Sequence, residues 1–287
     1  MKPLLFSERG NNPLMQRYFD EEEIRLREQI SELLADEWSW VKDPHNYEVV
    51  VHQRRAFFHP VYAFGTAAVK GEKKLTGNTV AYWEIDIRQQ LYGTSLMFGI
   101  GTLKADNLAR CTFIDLIGKD EHSYGITHLG TAIHAGVSIK IGKKLHPSRC
   151  IIGLLFDGPR KTLTYFENGK FLCTPFTEID TSRDYYPMVA STAQQSQFYV
   201  MNQKTIHIVR PLADLALSKL ADTLPPQATI SLPLPKNLIN QLLHINRKRK
   251  RPFSDLPPGY QKSNKNTVAY ADSLRPIIEI ICDQVKR

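Results

Sequence analysis

The stretch TLTYFENGKFLCTPF, residues 162–176, decides the predicted fold class. Two runs rich in Thr, Tyr, Phe and Leu flank Asn168-Gly169, and runs of this composition are typical of β-strands. Asn and Gly tolerate the positive φ that both central residues of a type I′ turn require. The stretch therefore predicts a tight antiparallel hairpin, and Asp157-Gly158 predicts the turn that precedes it.

Runs of the same kind occur from about Glu37 to Asn202. They are YEVVVHQ (47–53), VAYWEIDI (80–87), SLMFGIG (95–101), CIIGLLFD (150–157) and QFYVMN (197–202). Gly, Pro, Asn and Asp separate the runs, and many short strands punctuated in this way are typical of antiparallel β-sandwiches. We therefore predict a mostly β fold whose sandwich spans residues 37–203.

Residues 20–35, DEEEIRLREQISELLA, predict one helix within an N-terminal extension of residues 1–36. The mostly apolar stripe at helical spacing consists of Ile24, Arg27, Ile30, Leu33 and Leu34. Asp20 is placed to cap the helix, and three glutamates follow it in the first turn, where the helix dipole favours acids. The segment is too short for a coiled-coil seam, so we expect it to pack on the side of the sandwich.

The 287-residue chain is 42% hydrophobic and 23% charged, which is typical of a soluble globular protein. It contains neither a run of about 20 apolar residues nor an N-terminal apolar segment of the length that a secretory signal needs. The four cysteines are Cys111, Cys150, Cys173 and Cys282. They show no C-x-x-C spacing, so we expect thiols rather than disulfides or a zinc site, and a location in the nucleus or the cytoplasm without membrane association.

Positive charge is concentrated in the tail. Residues 246–287 carry 10 Lys and Arg against 4 Asp and Glu, a net charge of +6, whereas residues 1–245 carry 27 against 25, a net charge of +2. The nearly neutral body gives no sign of a nucleic-acid surface, and the polar, basic tail is predicted to be disordered.

One basic run in this tail has its own interpretation. It consists of Arg247, Lys248, Arg249, Lys250 and Arg251. Adjacent positive charges repel one another and stay exposed. We interpret the run as a nuclear-import signal for importin; the alternative is a solvated run with incidental affinity for RNA or anionic membranes.

No motif indicates catalysis. FGIGTLK lacks the third glycine and the strand–turn–helix context of a phosphate-binding loop, so its glycines are interpreted as strand glycines. His122, His128 and His134 recur every six residues, which is not a usual metal-ligand spacing. We therefore expect no enzymatic activity, no metal and no cofactor.

Two apolar segments follow the β region. RPLADLALSKLADTL (210–224) places Leu212, Leu215, Ala216 and Leu220 on one helical face, and LPLPKNLINQLLHI (232–245) is a proline-stiffened lead into a second helical run. The two segments either dock onto another protein or pack against this chain's own domain, and the residues alone allow both interpretations.

Five stretches in order carry a family resemblance over residues 37–245. They are FHPVYAFGTAAVKGEKKLTGNTVAYWEIDI, YGTSLMFGIGT, LIGKDEHSYGITHLG, GLLFDGPRKTLTYFENGK and YYPMVASTA. This ordered set resembles the SPRY domain, a B30.2-like β-sandwich, and with the two C-terminal segments it is similar to the SPRY domain-containing SOCS box proteins. The resemblance implies a substrate receptor of a ubiquitin ligase, with a SPRY domain that binds a protein substrate through a short degron.

The resemblance also implies a SOCS box at residues 204–245. Its Elongin C-binding residues are Pro211, Leu212, Leu215, Ala216 and Leu220. Ala216 departs from the family pattern, which prefers cysteine there. Leu232, Pro233, Leu234 and Pro235 match the element that selects cullin-5. The implied partners are Elongin C with Elongin B, and cullin-5 with its RING protein.

The implied peptide pocket lies on loops at one end of the sandwich. Its residues are Tyr62, Ala63, Gly93, Thr94, Phe113, Ser191, Thr192 and Ala193. The Gly93 backbone and the hydroxyls of Thr94 and Thr192 are expected to hydrogen-bond peptide amides. Family members that bind Asn-rich acidic peptides carry Val-Trp-Gly where this chain has Thr-Ala-Gln at 192–194, so we expect a flatter pocket. The alternative function is a SPRY protein-binding scaffold without ligase recruitment.

Overall fold

The computed structural model describes residues 13–89, 91–148, 150–208, 239–240 and 260–262. The chain divides into two compact units, one of Met1–His207 with Tyr260–Arg287 and one of Ile208–Gly259. In the second unit the described residues are Ile208, Ile239 and Asn240, and the last two are helical.

The described part of the first unit contains one helix and sixteen strands. The elements are α1 (Pro13–Ser31), β1 (Leu34–Ala35), β2 (Val49–His52), β3 (Arg55–Phe58), β4 (Gly65–Lys70), β5 (Thr79–Ile87), β6 (Leu96–Gly101), β7 (Leu108–Arg110), β8 (Ser123–Thr127), β9 (Thr131–His134), β10 (Val137–Lys140), β11 (Cys150–Asp157), β12 (Thr162–Glu167), β13 (Lys170–Phe176), β14 (Tyr186–Ser191), β15 (Gln197–His207) and β16 (Tyr260–Lys262).

The strands form two antiparallel sheets of eight strands each. Sheet I has the order β13-β12-β11-β5-β15-β3-β2, and β1 pairs with β15 beside this path. Sheet II has the order β16-β10-β9-β8-β6-β14-β4-β7. The prediction of a mostly β, antiparallel fold is confirmed.

The predicted hairpin is present with the predicted turn. β12 and β13 pair antiparallel around Asn168 and Gly169, whose φ angles are 51° and 73°. Positive φ at both positions is the signature of a type I′ turn. Gly169 has open space where a Cβ would lie, so backbone conformation rather than crowding selects the glycine.

Strand β5 shows how the sandwich buries both faces of a sheet. Trp83, Ile85 and Ile87 alternate with Val80 and Tyr82 along the strand, and all five side chains are buried. The side chains of Trp83, Ile85 and Ile87 point to one face of the strand. Those of Val80 and Tyr82 point to the other face, where they belong to an apolar cluster beneath α1. A sheet covered on both sides explains why β5 reads as a nearly continuous apolar run.

Helix α1 packs on sheet I through a face that the predicted stripe gives only in part. Phe19 and Leu26 are 0% and 3% exposed, and they pack against Leu155 and Phe171 in the same cluster. Of the predicted stripe, Leu33 is buried in this cluster and Ile30 packs against it, whereas Ile24 is 57% exposed. The prediction of a helix on the side of the sandwich is correct, and its contact face also includes the aromatic residue that precedes the acidic run.

The element boundaries at both ends of the domain also differ from those predicted. The helix begins at Pro13 and ends at Ser31, and Leu34–Ala35 form strand β1 because their backbones pair with Lys204 and Thr205 of β15. β15 itself runs to His207, past residue 203, where the sequence analysis ends the domain. Within the tail predicted to be disordered, Tyr260–Lys262 form β16 on the edge of β10.

The described cysteines differ in state. Cys150 and Cys173 are buried free thiols, as expected, whereas Cys111 is disulfide-bonded, contrary to the expectation of thiols throughout. Burial raises the pKa of the Cys150 thiol to about 12, so this thiol stays protonated at neutral pH. Within the part of the chain that the structure describes, no helix is both long and apolar enough to cross a bilayer.

The docking of α1 gives a stability prediction. Phe19→Ala removes a fully buried ring that lies 5.8 Å from the ring of Phe171, so we expect the free energy of unfolding to fall by about 3 kcal/mol. Ile24→Ala on the same helix is the matched control and is expected to change it by less than about 0.5 kcal/mol. Urea denaturation of both variants measures the difference. Equal losses in the two variants contradict this packing.

Candidate functional site

The predicted pocket residues meet at one end of sheet II, where three neighbouring strands end or begin. Ser191, the last residue of β14, pairs with Ala67 near the start of β4 and with Leu96 at the start of β6. Because antiparallel neighbours place these ends side by side, the loop after β14 lies between the loops that precede β4 and β6. We call residues 59–64, 91–95, 111–115 and 192–196 the site loops.

Gly93 lies directly against the loop that follows β14. A Cβ built at Gly93 would lie 3.0 Å from the Thr192 hydroxyl and 3.2 Å from the Ala193 side chain. The φ of Gly93 is +100°, a conformation that side chains disfavour. The structure therefore brings together Gly93, Thr192 and Ala193, which are far apart in sequence, and glycine is required for both the close approach and the backbone.

Thr192 ties two of the site loops together through its hydrogen bonds. Its hydroxyl accepts from Ser95 N–H at 2.9 Å and donates to the Ser95 carbonyl at 3.0 Å, and its own N–H donates to the same carbonyl at 2.9 Å. Through one accepted and one donated bond, the hydroxyl holds two loops together. Its expected hydrogen bond to a peptide amide stays a prediction.

Ser191 and Ala193 form part of the floor. They are 0% and 2% exposed, so their side chains do not present a surface to a ligand. The Ser191 hydroxyl accepts from Ala193 N–H at 2.9 Å and lies 2.7 Å from the Ser196 hydroxyl. These contacts fold residues 191–196 into a compact turn, which serves as a rigid support for the exposed residues around it.

His59 fixes the loop that precedes β4. The residue is 0% exposed and has a φ of +48°, which is uncommon for a side-chain-bearing residue. Its ring nitrogens lie 2.7 Å from the Glu48 carboxylate and 2.8 Å from the Ser191 carbonyl, and its own carbonyl accepts from Gln195 N–H at 3.1 Å. These bonds hold an unfavourable backbone conformation in place. The sequence analysis did not identify this residue.

Two tyrosines form the exposed apolar part of the site. Tyr62 is 65% exposed and packs edge-on against Phe64, and Tyr92 is 46% exposed. The Tyr92 hydroxyl donates to the Gln194 carbonyl, and the Gln194 side-chain amide donates to the carbonyl of Val61, beside Tyr62. Gln194 thus links the two aromatic loops. Tyrosine rings offer a large contact area to a ligand, and they lose little conformational entropy when the ligand binds.

The remaining predicted residues lie at the rim. Thr94 is exposed, and Ala63 and Phe113 are half-buried. Phe113 precedes Ile114, which exchanges hydrogen bonds with the Thr66 side chain on β4: its N–H donates at 2.9 Å and its carbonyl accepts at 2.8 Å. This anchor leads residues 112–115 across the end of the sheet towards β6.

Asp115 completes this crossing and was missed by the sequence analysis. The Ser95 hydroxyl donates to the Asp115 carboxylate at 2.6 Å. Asp115 is an exposed residue, and the partial burial of its carboxyl raises its pKa against the opposing effects of the Ser95 hydrogen bond and of nearby His128. The available signal was a single acid within the apolar run FIDLI, residues 113–117.

His128 is a buried residue near Asp115. Burial lowers the pKa of the His128 ring against the opposing effects of its Leu96 backbone hydrogen bond and of Asp115. The other two histidines of the six-residue series are His122, which lies in a turn, and His134, which is the last residue of β9. Among the described residues, no group of three His, Cys, Asp or Glu side chains is arranged to hold a metal ion.

The assembled site is suited to binding rather than to bond-making. It combines a hydrogen-bonded floor, two exposed aromatic rings and one carboxylate at the rim. The other predicted sites, at residues 211–220, 232–235 and 247–251, lie outside the described residues.

The Thr192–Ser95 contact gives a second prediction. Thr192→Val keeps the shape of the side chain but leaves the Ser95 N–H buried without its acceptor, so we expect a loss of about 1–3 kcal/mol in unfolding free energy. Thr192→Ser keeps the hydroxyl and is expected to retain most of the stability. Thermal unfolding of the two variants, with amide exchange at Ser95, is the measurement. A stable valine variant with an unchanged exchange rate contradicts the proposed tie.

Comparison with known proteins gives a family match and a similar solved structure. The SPRY domain family model matches residues 80–203. The crystal structure of the TRIM65 PSpry domain aligns with a TM-score of 0.47 at 13% identity, covering 62% of this chain and 95% of that one.

Two curated relatives share sequence with a longer part of the chain. SPRY domain-containing SOCS box protein 3 from Xenopus tropicalis and that from Xenopus laevis are each 32% identical over 168 residues, which is 58% of this chain and 46% of the relative. The chain thus spans about half the length of the curated relatives it matches. Residues 80–203 thus match the SPRY domain family, and the chain is similar in sequence to SPRY domain-containing SOCS box protein 3.

Proposed function

We propose that this chain is a substrate-recognition subunit of a ubiquitin ligase, in which the SPRY domain binds a short peptide degron of the substrate. The observation that carries the proposal is the loop end of sheet II, where Tyr62 and Tyr92 stand exposed on a floor fixed by buried hydrogen bonds. Exposed aromatic rings on loops held by a rigid scaffold are typical of peptide recognition. The SOCS box in the names of the relatives supports the link to a ligase.

The proposed mechanism is proximity rather than covalent chemistry by this chain. The proposed SOCS box lies after β15, since residues 204–207 belong to that strand, and extends to residue 245. It binds Elongin C, which carries Elongin B, and recruits cullin-5 with its RING partner. Holding substrate lysines close to the ubiquitin-charged enzyme raises their effective concentration, which accelerates transfer without any catalytic group on the receptor. The substrate is then ubiquitinated and degraded by the proteasome.

The leucines of residues 211–220 supply the proposed Elongin contact. Residues at positions i, i+4 and i+8 lie on one helical face, so Leu212, Ala216 and Leu220 form a stripe that suits an apolar groove. Ala216 is smaller than the cysteine that the family pattern prefers, which lowers the apolar area available to the partner. This departure favours one alternative, a SPRY scaffold that does not recruit a ligase.

The basic run completes the proposal. Arg247 to Arg251 are proposed to bind importin, which places the receptor in the nucleus as well as in the cytoplasm.

A third prediction separates ligase recruitment from scaffolding. Leu212→Asp puts a charge into the proposed apolar contact. We therefore expect the amount of Elongin B and C that co-purifies with the protein to fall at least about tenfold. Leu103→Asp, at a site that is 74% exposed in the SPRY domain, is the control and should leave co-purification unchanged. Quantitative mass spectrometry of the purified complexes is the readout. Retention of Elongin C by the Leu212 variant, or its absence from the wild-type complex, favours the scaffold.

A fourth prediction concerns the cullin. Replacing Leu234-Pro235 with Ala-Ala removes two apolar side chains and the φ restriction of proline, so we expect weaker binding of cullin-5. Elongin C binding should remain, because its proposed contact lies at residues 211–220. Titration of purified cullin-5 onto the assembled Elongin complex gives both affinities. Loss of Elongin C together with the cullin shows that residues 232–235 hold the whole box together and do not select the cullin.

A further inference from the structure

The outer face of sheet I carries an arginine without a hydrogen-bond acceptor. Arg55 on β3 pairs with Tyr199 on β15, and both residues are half-buried on the face turned away from the core residues Ala56 and Phe58. The Nε atom of Arg55 is buried, and within the described residues neither a hydrogen bond nor an ion pair reaches its guanidinium. Buried donors are normally bonded, so a donor without a partner calls for an explanation.

Aromatic rings hold this guanidinium in place. Its Cζ atom lies 5.6 Å from the ring centroid of Phe57 and 5.7 Å from that of Tyr199. The Cζ atom of Arg88 lies over the same Tyr199 ring at 4.4 Å. We call these four residues the arginine–aromatic patch. Cation–π contacts orient an arginine but give it no hydrogen-bond acceptor, so the solvent-facing N–H groups of Arg55 stay available to a ligand.

Other half-buried arginines of the described chain are paired with carboxylates. Arg25 contacts Glu22, and Arg183 contacts Glu121 at 3.4 Å. Pairing of this kind is the usual way to compensate a partly desolvated charge. Arg55 therefore differs from its counterparts in a contact that can be counted, and the missing partner is a carboxylate.

The patch lies on strands that lead directly into the site loops. β3 ends at Phe58 and continues into residues 59–64, and residues 192–196 continue into β15. Arg55 precedes His59 on the same strand by about four residues, which corresponds to roughly 13 Å at about 3.3 Å per residue. An extended peptide spans this distance with about four residues of its own. One short segment can therefore contact the site loops and the patch together.

We propose that the arginine–aromatic patch binds an acidic side chain, aspartate or glutamate, of the substrate chain beside its degron. This inference rests on the proposed function and adds a second contact to it. The planar guanidinium of Arg55 can bond a carboxylate, and the flanking rings supply apolar area around that bond. Arginine and tyrosine are also among the residues that most often carry the binding energy of protein interfaces.

The charges of the patch suit one carboxylate better than a nucleic acid. Asp86 is 4% exposed, pairs with Tyr199 across the strands, and accepts a hydrogen bond from Arg88 at 2.9 Å. The charge of Arg88 is thus met within the fold, whereas that of Arg55 is not. A phosphate backbone is bound by several cations along its length, and a carboxylate needs only one.

The test uses the full chain and a displayed library of random 12-residue peptides as the probe. Peptides that bind wild-type protein but not Tyr62→Ala report the site loops. Among these we expect Asp or Glu to be enriched at one position, and we expect Arg55→Met, which keeps the apolar stem, to lose this enrichment. Arg54→Met is the matched control. It removes the same charge from the neighbouring residue, which is exposed and paired with Glu37, and should behave as the wild type.

A double-mutant cycle then isolates the contact. Replacing the acidic residue of a selected peptide with glutamine should weaken binding to wild-type protein about tenfold, and should change binding to Arg55→Met about twofold or less. Arg55→Lys keeps the charge but loses the planar fork, so it should retain part of the coupling. Added salt should weaken binding of the acidic peptide. Thermal unfolding of each variant shows whether its fold is retained.

Several outcomes overturn the acidic contact and leave the peptide receptor intact. They are equal acidic enrichment by wild type and Arg55→Met, the absence of any acidic position, and a cycle without coupling. A lower Tm for Arg55→Met with no coupling shows that Arg55 serves only the packing of its rings. Binding of a single-stranded RNA oligonucleotide that Arg55→Met abolishes assigns the patch to nucleic acid instead. Failure of wild-type protein to enrich any peptide that depends on Tyr62 contradicts the proposed function itself.

Discussion

The pairing of β5 with β15 is the interaction on which the rest of the structure depends. It joins Thr79–Ile87 to Gln197–His207 along nearly the whole of β5, so it closes the sheet between segments distant in sequence. β5 also pairs with β11, and β15 also pairs with β3 and β1. A register shift between Met201 and Lys204, where Asn202 has a φ of 47°, keeps the two strands in contact on both sides of a bulge.

This pairing also determines the geometry of the site. β14 belongs to sheet II and β15 to sheet I, so residues 192–196 connect the two sheets. One end of the loop is held by β4 and β6 through Ser191, and the other by β3 and β5 through Phe198. A short connection fixed at both ends has little conformational freedom, which is why its buried hydroxyls can form a precise set of hydrogen bonds.

The parts of the fold that could be predicted are those with local causes. The hairpin at Asn168-Gly169 follows from backbone preferences of two adjacent residues, and the strands follow from runs of β-forming side chains. The contact face of α1 could be predicted only in part. Ile30 and Leu33 lay in the predicted stripe, but the packing of Phe19 depends on the sheet residue Phe171, which is far away in sequence. The site loops were located through resemblance, but the burial of Ser191 depends on its pairing with two strands at once.

The site divides into a floor and a rim that obey different constraints. Floor residues such as Ser191 and Thr192 use their hydroxyls in hydrogen bonds to the backbone of the site loops. A substitution there therefore disturbs the loops before it alters any ligand contact. Rim residues such as Tyr62 and Asp115 make few bonds that the fold requires, and their side chains reach solvent. A change at the rim therefore alters the chemistry of recognition while the scaffold stays in place. Specificity in such a domain can therefore diverge through a few exposed positions.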